Sequence, residues 1–514
     1  MSARMSSTAN SQPLEILLLA DVHYVNHAAR ECPIPARKAA WGRELMRRAL
    51  REARRHGPVD VVVLLGDLVD DGTASGAEDD LRELCEEAGS LETPIIVVPG
   101  NHDGDAARLA RLFGHEPGVH RIKGYQLLTF ADRYEPNDEA ARGRDDLDAL
   151  AQAVAAHPES PVVAFQHNPI HPPIESTYPF NLTNAADVMR AYERAGVLLS
   201  VSAHYHPGLA AEAVNGVSYM TCPALCEAPF RFVRLSLAGR SFRVAETQLV
   251  LDPPTPLRDF HVHTQYAYCR DDVTAAAAIE RAEALGVDGI CLTEHAGQLY
   301  LSPEDYWSHR FAPDPGLIAR ERAAGRGRLR RFREEIEPLR SPRVGVGLEV
   351  ELDGSGGLTL LDEDREGWDV LIGAVHRLVN HEAEGASSSD VMRAFMAETE
   401  RLVSLGIDLL AHPFRYFRRA KMPVPTELYR PVAEALAVHG VAAEINYHTN
   451  EPDPAFFAMC LEHGVKIALG SDSHGLWEVG DLNPHLQLLE QIVPRERMGD
   501  VLYRGRTQWG TPVA

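Results

Sequence analysis

Residues 259–264, Asp259-Phe260-His261-Val262-His263-Thr264, constrain this chain more than any other stretch. Alternate side chains of a strand point to one side, so His261 and His263 can grip one metal ion together. Later apolar runs end at Thr293-Glu294-His295, Glu349-Val350-Glu351, Gly373-Ala374-Val375-His376, Ala411-His412-Pro413, Glu444-Ile445-Asn446 and Gly470-Ser471-Asp472-Ser473-His474. Helical stretches at 273–285, 391–405, 426–439 and 454–463 separate most of them, several closed by Gly. Seven βα units with polar residues at each strand's C-terminal end predict a parallel barrel whose functional face is that end. The interval from His295 to Val344 exceeds a plain βα loop. It carries Tyr300, Tyr306, Trp307 and Phe311, then an Arg/Glu-rich helix, and reads either as a cover for the barrel mouth or as a solvated excursion.

A second series precedes it. Runs at 16–20, 61–65, 95–98, 162–165 and 197–201 lead into Asp21-Val22-His23, Gly66-Asp67, Pro99-Gly100-Asn101-His102-Asp103, Gln166-His167 and His204-Tyr205-His206. Short continuous apolar runs suit strands buried on both faces. Residues 41–56 place Leu45, Ala49, Leu50 and Ala53 on one helical face before Gly57-Pro58 stops it. With β-rich pieces near 217–220 and 230–250, the pattern predicts an α/β sandwich of two sheets. Leu251-Asp252-Pro253-Pro254-Thr255-Pro256 is a stiff joint. The expected division is a disordered tail at 1–13, one domain at 14–250, the joint at 251–257 and a second domain at 258–514.

Asp-x-His, Gly-Asp, Gly-Asn-His-Asp, a lone His and His-x-His, in that order, resemble the calcineurin-like metallophosphoesterases over about residues 14–250. The resemblance implies an αββα sandwich holding two divalent ions, with Asp67 as bridging carboxylate. Asp21, His23 and His206 would complete one ion's shell, and Asn101, His167 and His204 the other. His102 has no ligand position in that pattern and would be the general acid protonating the departing alkoxide, oriented by Asp103 or Asp70. Paired cations suit phosphoester hydrolysis because they lower the pKa of water and balance charge on phosphoryl oxygens. Ala203 stands where the family has Gly before His-x-His.

His261, His263, His295, Glu349, His376, His412, Asp472 and His474 resemble the PHP family, named for polymerase and histidinol phosphatase domains, over about 257–480. The resemblance implies a distorted (β/α)7 barrel with two or three ions, a coupled pair lying among His261, His263, Glu349 and Asp472. Glu349 would bridge that pair; His295, His376, His412 and His474 share the remaining positions. The His or Asp that the family places soon after His-x-His has Cys269, Asp271 and Asp272 as candidates here. Glu294, Glu351 and Glu444 would hold ring N–H groups. Arg415 is the candidate phosphate contact; Arg418, Arg419 and Lys421 behind it either join it or form a solvated basic loop. Mixed N/O ligand sets fit Mn, Fe or Zn better than Ca in both domains.

A formal charge of −23 would repel a phosphate backbone, so stable nucleic-acid binding is not expected, whereas a small phosphorylated substrate is compatible with bound cations. Seven scattered cysteines without Cys-x-x-Cys argue for a reducing compartment, and no run of about 18 apolar residues offers a membrane span. A cytoplasmic hydrolase with two phosphoesterase centres is expected, opening a small diester at one and clearing the monoester at the other. The alternative is one catalytic phosphatase domain, with a histidinol-phosphate-like or nucleotide substrate, beside a scaffold or metal-bound regulatory module. Oligomeric state leaves no signal in the sequence.

Overall fold

In the computed structural model, which describes residues 11–26, 30, 32–378, 387–505 and 509, the first apolar run forms the strand Leu14–Leu19. Most of the tail expected at 1–13 lies outside the described residues. Leu14–Leu19 runs parallel to Val61–Leu64, which runs parallel to Ile95–Val97. On its other side lie the antiparallel strands Arg231–Ala238 and Ser241–Gln248. A second sheet of six strands is centred on the parallel pair Val162–Phe165 and Leu199–Ser202.

The two sheets meet through one set of alternate residues. Ile16, Leu18, Val61 and Val63 of the first pack in one cluster with Val163, Phe165, Leu199 and Val201 of the second. Each such side chain contributes roughly 1.5–3 kcal/mol when fully buried. The opposite face of the second sheet packs on Arg144–Ala156 and Ala185–Ala195, through Leu150, Ala153, Val188 and Tyr192 against Leu128, Val162 and Ala164. Uninterrupted apolar runs are therefore required, because both faces of these strands are covered.

The described residues form two compact units, one ending at Val250 and the other starting at Leu251. In the second unit seven parallel strands close a barrel: Arg258–Val262, Gly289–His295, Val344–Val350, Val370–Gly373, Leu409–Leu410, Ala442–Asn446 and Ile467–Gly470. Between first and last strands the register pair is Asp259 with Leu469, continued past the last strand by a bridge from Val262 to Ser473, and the fifth strand is two residues long. The barrel is thus distorted. Its helices have ordinary local causes. Ser388–Val403, for example, starts at a capping box of Ser387 and Asp390.

The interval after His295 is no solvated excursion. It folds as Ala296–Tyr300, Pro303–Trp307, Leu317–Ala323 and Leu329–Ile336, with Tyr300, Tyr306 and Phe311 buried and Trp307 exposed. The Tyr306 ring lies 6.0 Å from that of His295, so this segment covers part of the barrel's C-terminal end. Among the described residues, no helix is long and apolar enough to cross a membrane.

Candidate metal centres

In the first unit the turns that leave the parallel strands carry the polar residues, and several of these turns are strained. Asp21, His23, Asp67 and His204 all take positive φ, between 47° and 68°. For non-glycine residues such backbone is unfavourable and persists only where the surroundings enforce it. Gly100 allows the closest approach: a Cβ there would fall 2.2 Å from Asp67 Oδ1.

Around Asp67 the expected residues converge. His167 donates from Nδ1 to the Leu65 carbonyl (2.7 Å). Its Nε2 therefore faces Asp67 Oδ2 at 3.2 Å and His204 Nδ1 at 3.1 Å. His23 points Nε2 at Asp67 Oδ2 (3.6 Å) and Nδ1 at Asp70 Oδ1 (3.3 Å). His206 lies 3.8 Å from Asp21 Oδ1 through Nε2 and is held from behind by Glu227 (2.7 Å). Asn101 keeps Oδ1 buried without a partner, while its amide nitrogen reaches the Tyr178 hydroxyl (3.5 Å).

Of the two residues expected to orient His102, Asp70 does so, through its backbone. The His102 Nδ1 meets the Asp70 backbone carbonyl at 2.5 Å, not a carboxylate. Asp103 spends its carboxylate on the backbone N–H groups of Leu68 (2.6 Å) and Gly100 (2.8 Å), bracing the turn. The Asp70 carboxylate is gripped by Arg37 (3.1 Å), a residue with no strand-end signal in the sequence.

In the second unit Glu349 is the hub. Its Oε2 faces His261 Nε2 (3.5 Å), His263 Nε2 (3.8 Å) and His295 Nδ1 (2.7 Å); its Oε1 faces His376 Nε2 (3.3 Å) and His412 Nε2 (3.2 Å). Asp472 Oδ1 lies 3.1 Å from His263 and 3.5 Å from His261. His474 stacks near His263, ring centres 4.6 Å apart. Strained backbone recurs here, at His412 (φ 31°) and Asp472 (φ 51°).

The expected carboxylate partners divide. Glu444 accepts from His261 Nδ1 (2.9 Å), and Glu351 pairs with His376 Nδ1. Glu294 instead accepts from the Thr264 backbone (2.8 Å) and hydroxyl (2.6 Å), standing 3.8 Å from His263. Cys269 Sγ is 3.6 Å from His295 Nε2 and so borders the cluster. Asp271 is exposed; its backbone N–H donates to the His474 carbonyl. Asp272 is likewise exposed and caps Leu476 N–H. Arg415, the expected phosphate contact, is buried and donates from Nη1 to Asp472 Oδ2 (2.6 Å). Arg418 pairs with Glu451 at the surface. His448 escaped the sequence reading because no apolar run ends on it. Its ring stacks on His474 at 4.3 Å, and Glu478 holds its Nδ1 (2.7 Å).

Both clusters suit cations. Buried atoms without hydrogen-bond partners include His23 Nε2, Asn101 Oδ1 and His204 Nε2 in one, and His261 Nε2 and His263 Nδ1 in the other. Each buried unsatisfied group costs about 1–3 kcal/mol, so acceptors aimed at one another call for a positive charge between them. Burial pushes His23 down to about 4, His204 to about 3 and His474 to about 2, leaving neutral rings suited to ligation. At His167 burial works the same way, but Asp67 and Asp21 outweigh it and hold the ring up at about 10. Asp67 and Glu349 stay well below the usual carboxylate range: burial opposes this, and the surrounding imidazoles prevail.

Glu444→Gln tests whether this support matters. Losing the carboxylate behind His261 should lower metal affinity or turnover of the second unit about 10–100-fold, read by metal titration of the purified chain.

The family model for calcineurin-like phosphoesterases matches residues 14–208, and that for the PHP domain matches residues 259–448. The chain is therefore an N-terminal calcineurin-like phosphoesterase domain fused to a C-terminal PHP domain, and is a metal-dependent phosphoric ester hydrolase. The probable phosphatase YcdX of Escherichia coli O81 (strain ED1a) is 25% identical over 255 residues, 47% of this chain and 89% of its own. The probable phosphatase TTE1963 of Caldanaerobacter subterraneus subsp. tengcongensis is 25% identical over 251 residues, 46% of this chain and 84% of its own. Among solved structures, a dimetal phosphatase from Danio rerio shares 18% identity at a TM-score of 0.39, covering 46% of this chain and 98% of that one. A histidinol phosphate phosphatase from Lactococcus lactis shares 18% identity at a TM-score of 0.31, covering 46% and 93%.

Proposed function

We propose that both domains are catalytic and act in sequence on a small phosphodiester, the first opening it and the second removing the remaining phosphate. The observation that carries this reading is the convergence of buried imidazoles on two separate buried carboxylates, Asp67 and Glu349, one in each unit. A scaffold domain would have no reason to keep such costly groups.

In the N-terminal centre Asp21, His23, Asp67, Asn101, His167, His204 and His206 would hold two divalent ions. In the C-terminal centre His261, His263, His295, Glu349, His376, His412, Asp472 and His474 would hold two or three, with Cys269 beside His295 as a further donor. Manganese, iron and zinc suit these donors. Bound cations would supply an acidified water and neutralise phosphoryl charge. Around them the chain's own groups set position and move protons. Asp70 fixes the His102 ring through its carbonyl, which leaves Nε2 to the cleft that His102 lines. From there it would give a proton to the departing alkoxide. Arg415 would orient Asp472 rather than touch the substrate.

His102→Asn tests the acid role. Hydrolysis of a diester with a poor, alkyl leaving group should fall about 10²–10⁴-fold, and far less with a good, nitrophenyl one. Equal losses on both substrates would contradict the assignment.

A further inference from the structure

Above the N-terminal cluster lies a cleft of about 520 Å³ with two unlike walls. One wall is polar: Arg37 and His102, beside Asp67. The other is aromatic, made by Tyr178 and Phe180. The rings of Tyr178 and Phe180 lie 5.0 Å apart at 61°, and each is 5.5 Å from the ring of His204. A group attached through the scissile ester would therefore leave the metal ligands and meet aromatic surface at once.

This surface is preformed. The Phe180 carbonyl accepts from Asn168 Nδ2 (3.0 Å), and Asn181 ties its loop through the Ile174 N–H (2.8 Å) and the Pro172 carbonyl (3.0 Å). Tyr178 is held at its hydroxyl, donating to Asp138 Oδ2 (3.1 Å) and receiving Asn101 Nδ2 (3.5 Å). The same asparagine thus registers the ring against the cluster. Rigid aromatic rings offer stacking area at little ordering cost. Asp138 adds a specific element, because its carboxylate lines the same cleft and only accepts hydrogen bonds.

We propose that the N-terminal centre takes nucleoside phosphate esters, with the base laid against Tyr178 and Phe180 and an exocyclic amine donating to Asp138. The inference rests on the phosphoesterase reading of this centre. Three features favour a base over a sugar or an alkyl chain. The platform is aromatic, it lies next to the ligand shell, and the acceptor at its margin matches the amino groups of adenine or cytosine, which uracil lacks. A cleft of this size suits one nucleotide, and the chain's charge of −23 disfavours a longer nucleic acid.

The test uses the full chain loaded with Mn²⁺ and carrying Glu349→Ala, so that diester hydrolysis reports the N-terminal centre. Competitive inhibition is compared for adenosine monophosphate, uridine monophosphate and ribose 5-phosphate. Adenosine monophosphate should inhibit about tenfold or more tightly than ribose 5-phosphate, since stacking of one base is worth about that much. Phe180→Leu, which keeps apolar bulk but removes the ring, should erase most of that advantage, and Asp138→Ala should narrow the gap between the two nucleotides. Equal inhibition by adenosine monophosphate and ribose 5-phosphate overturns the proposal without any variant having to fold. An advantage that survives Phe180→Leu also overturns it. Absence of any diester hydrolysis sensitive to Asp67→Ala overturns the catalytic reading of the centre and this proposal together, an outcome distinct from equal inhibition.

Discussion

Asp67→Ala is expected to lower diester opening by about 10³-fold or more, because the carboxylate faced by both His23 and His167 disappears. Removing it leaves buried imidazoles and Asp21 without the group that ties the two halves of the shell together. Metal content should fall in the N-terminal unit alone. Hydrolysis of monoesters by the C-terminal unit should persist, which separates loss of one centre from global unfolding. The measurement is a paired assay of the same preparation on a model diester and a model monoester with Mn²⁺.

Glu349→Ala is expected to do the reverse with comparable size. Five imidazoles point at this carboxylate, so its removal disperses the whole C-terminal cluster. Diester opening should continue, and the monoester it produces should accumulate where the wild-type chain releases inorganic phosphate. Product analysis by phosphorus magnetic resonance follows both species in one sample. If Glu349→Ala traps no monoester from any diester that the wild type consumes, the two centres do not act in this order.

Much of this architecture is legible in the chain because parallel strands impose it. A strand covered on both faces must be apolar along its length, and its functional residues are pushed to its C-terminal end; Leu14–Leu19 before Asp21 and Ile467–Gly470 before Asp472 both follow this. What depends on side-chain direction is not legible. Asp70 and Asp103 are equally placed in sequence to orient His102, yet one offers a carbonyl and the other is consumed by backbone N–H groups. Arg415 follows a ligand by three residues and reads as a phosphate contact, but in the fold it is buried against Asp472. Arg37, Tyr178 and Phe180 sit on connecting segments without periodicity, where no pattern signals that they border a cleft. His448 is similar: only its stacking on His474 reveals it.

The central claim is that scattered acids and imidazoles gather divalent ions at two separate places on one chain. Elemental analysis of the purified protein, after loading with Mn²⁺ and removal of free metal, tests it most directly when wild type, Asp67→Ala, Glu349→Ala and the double variant are measured together. Each single variant should lose part of the bound metal, and the double variant nearly all of it. Equal metal content in all four proteins, or none in the wild type, would contradict it.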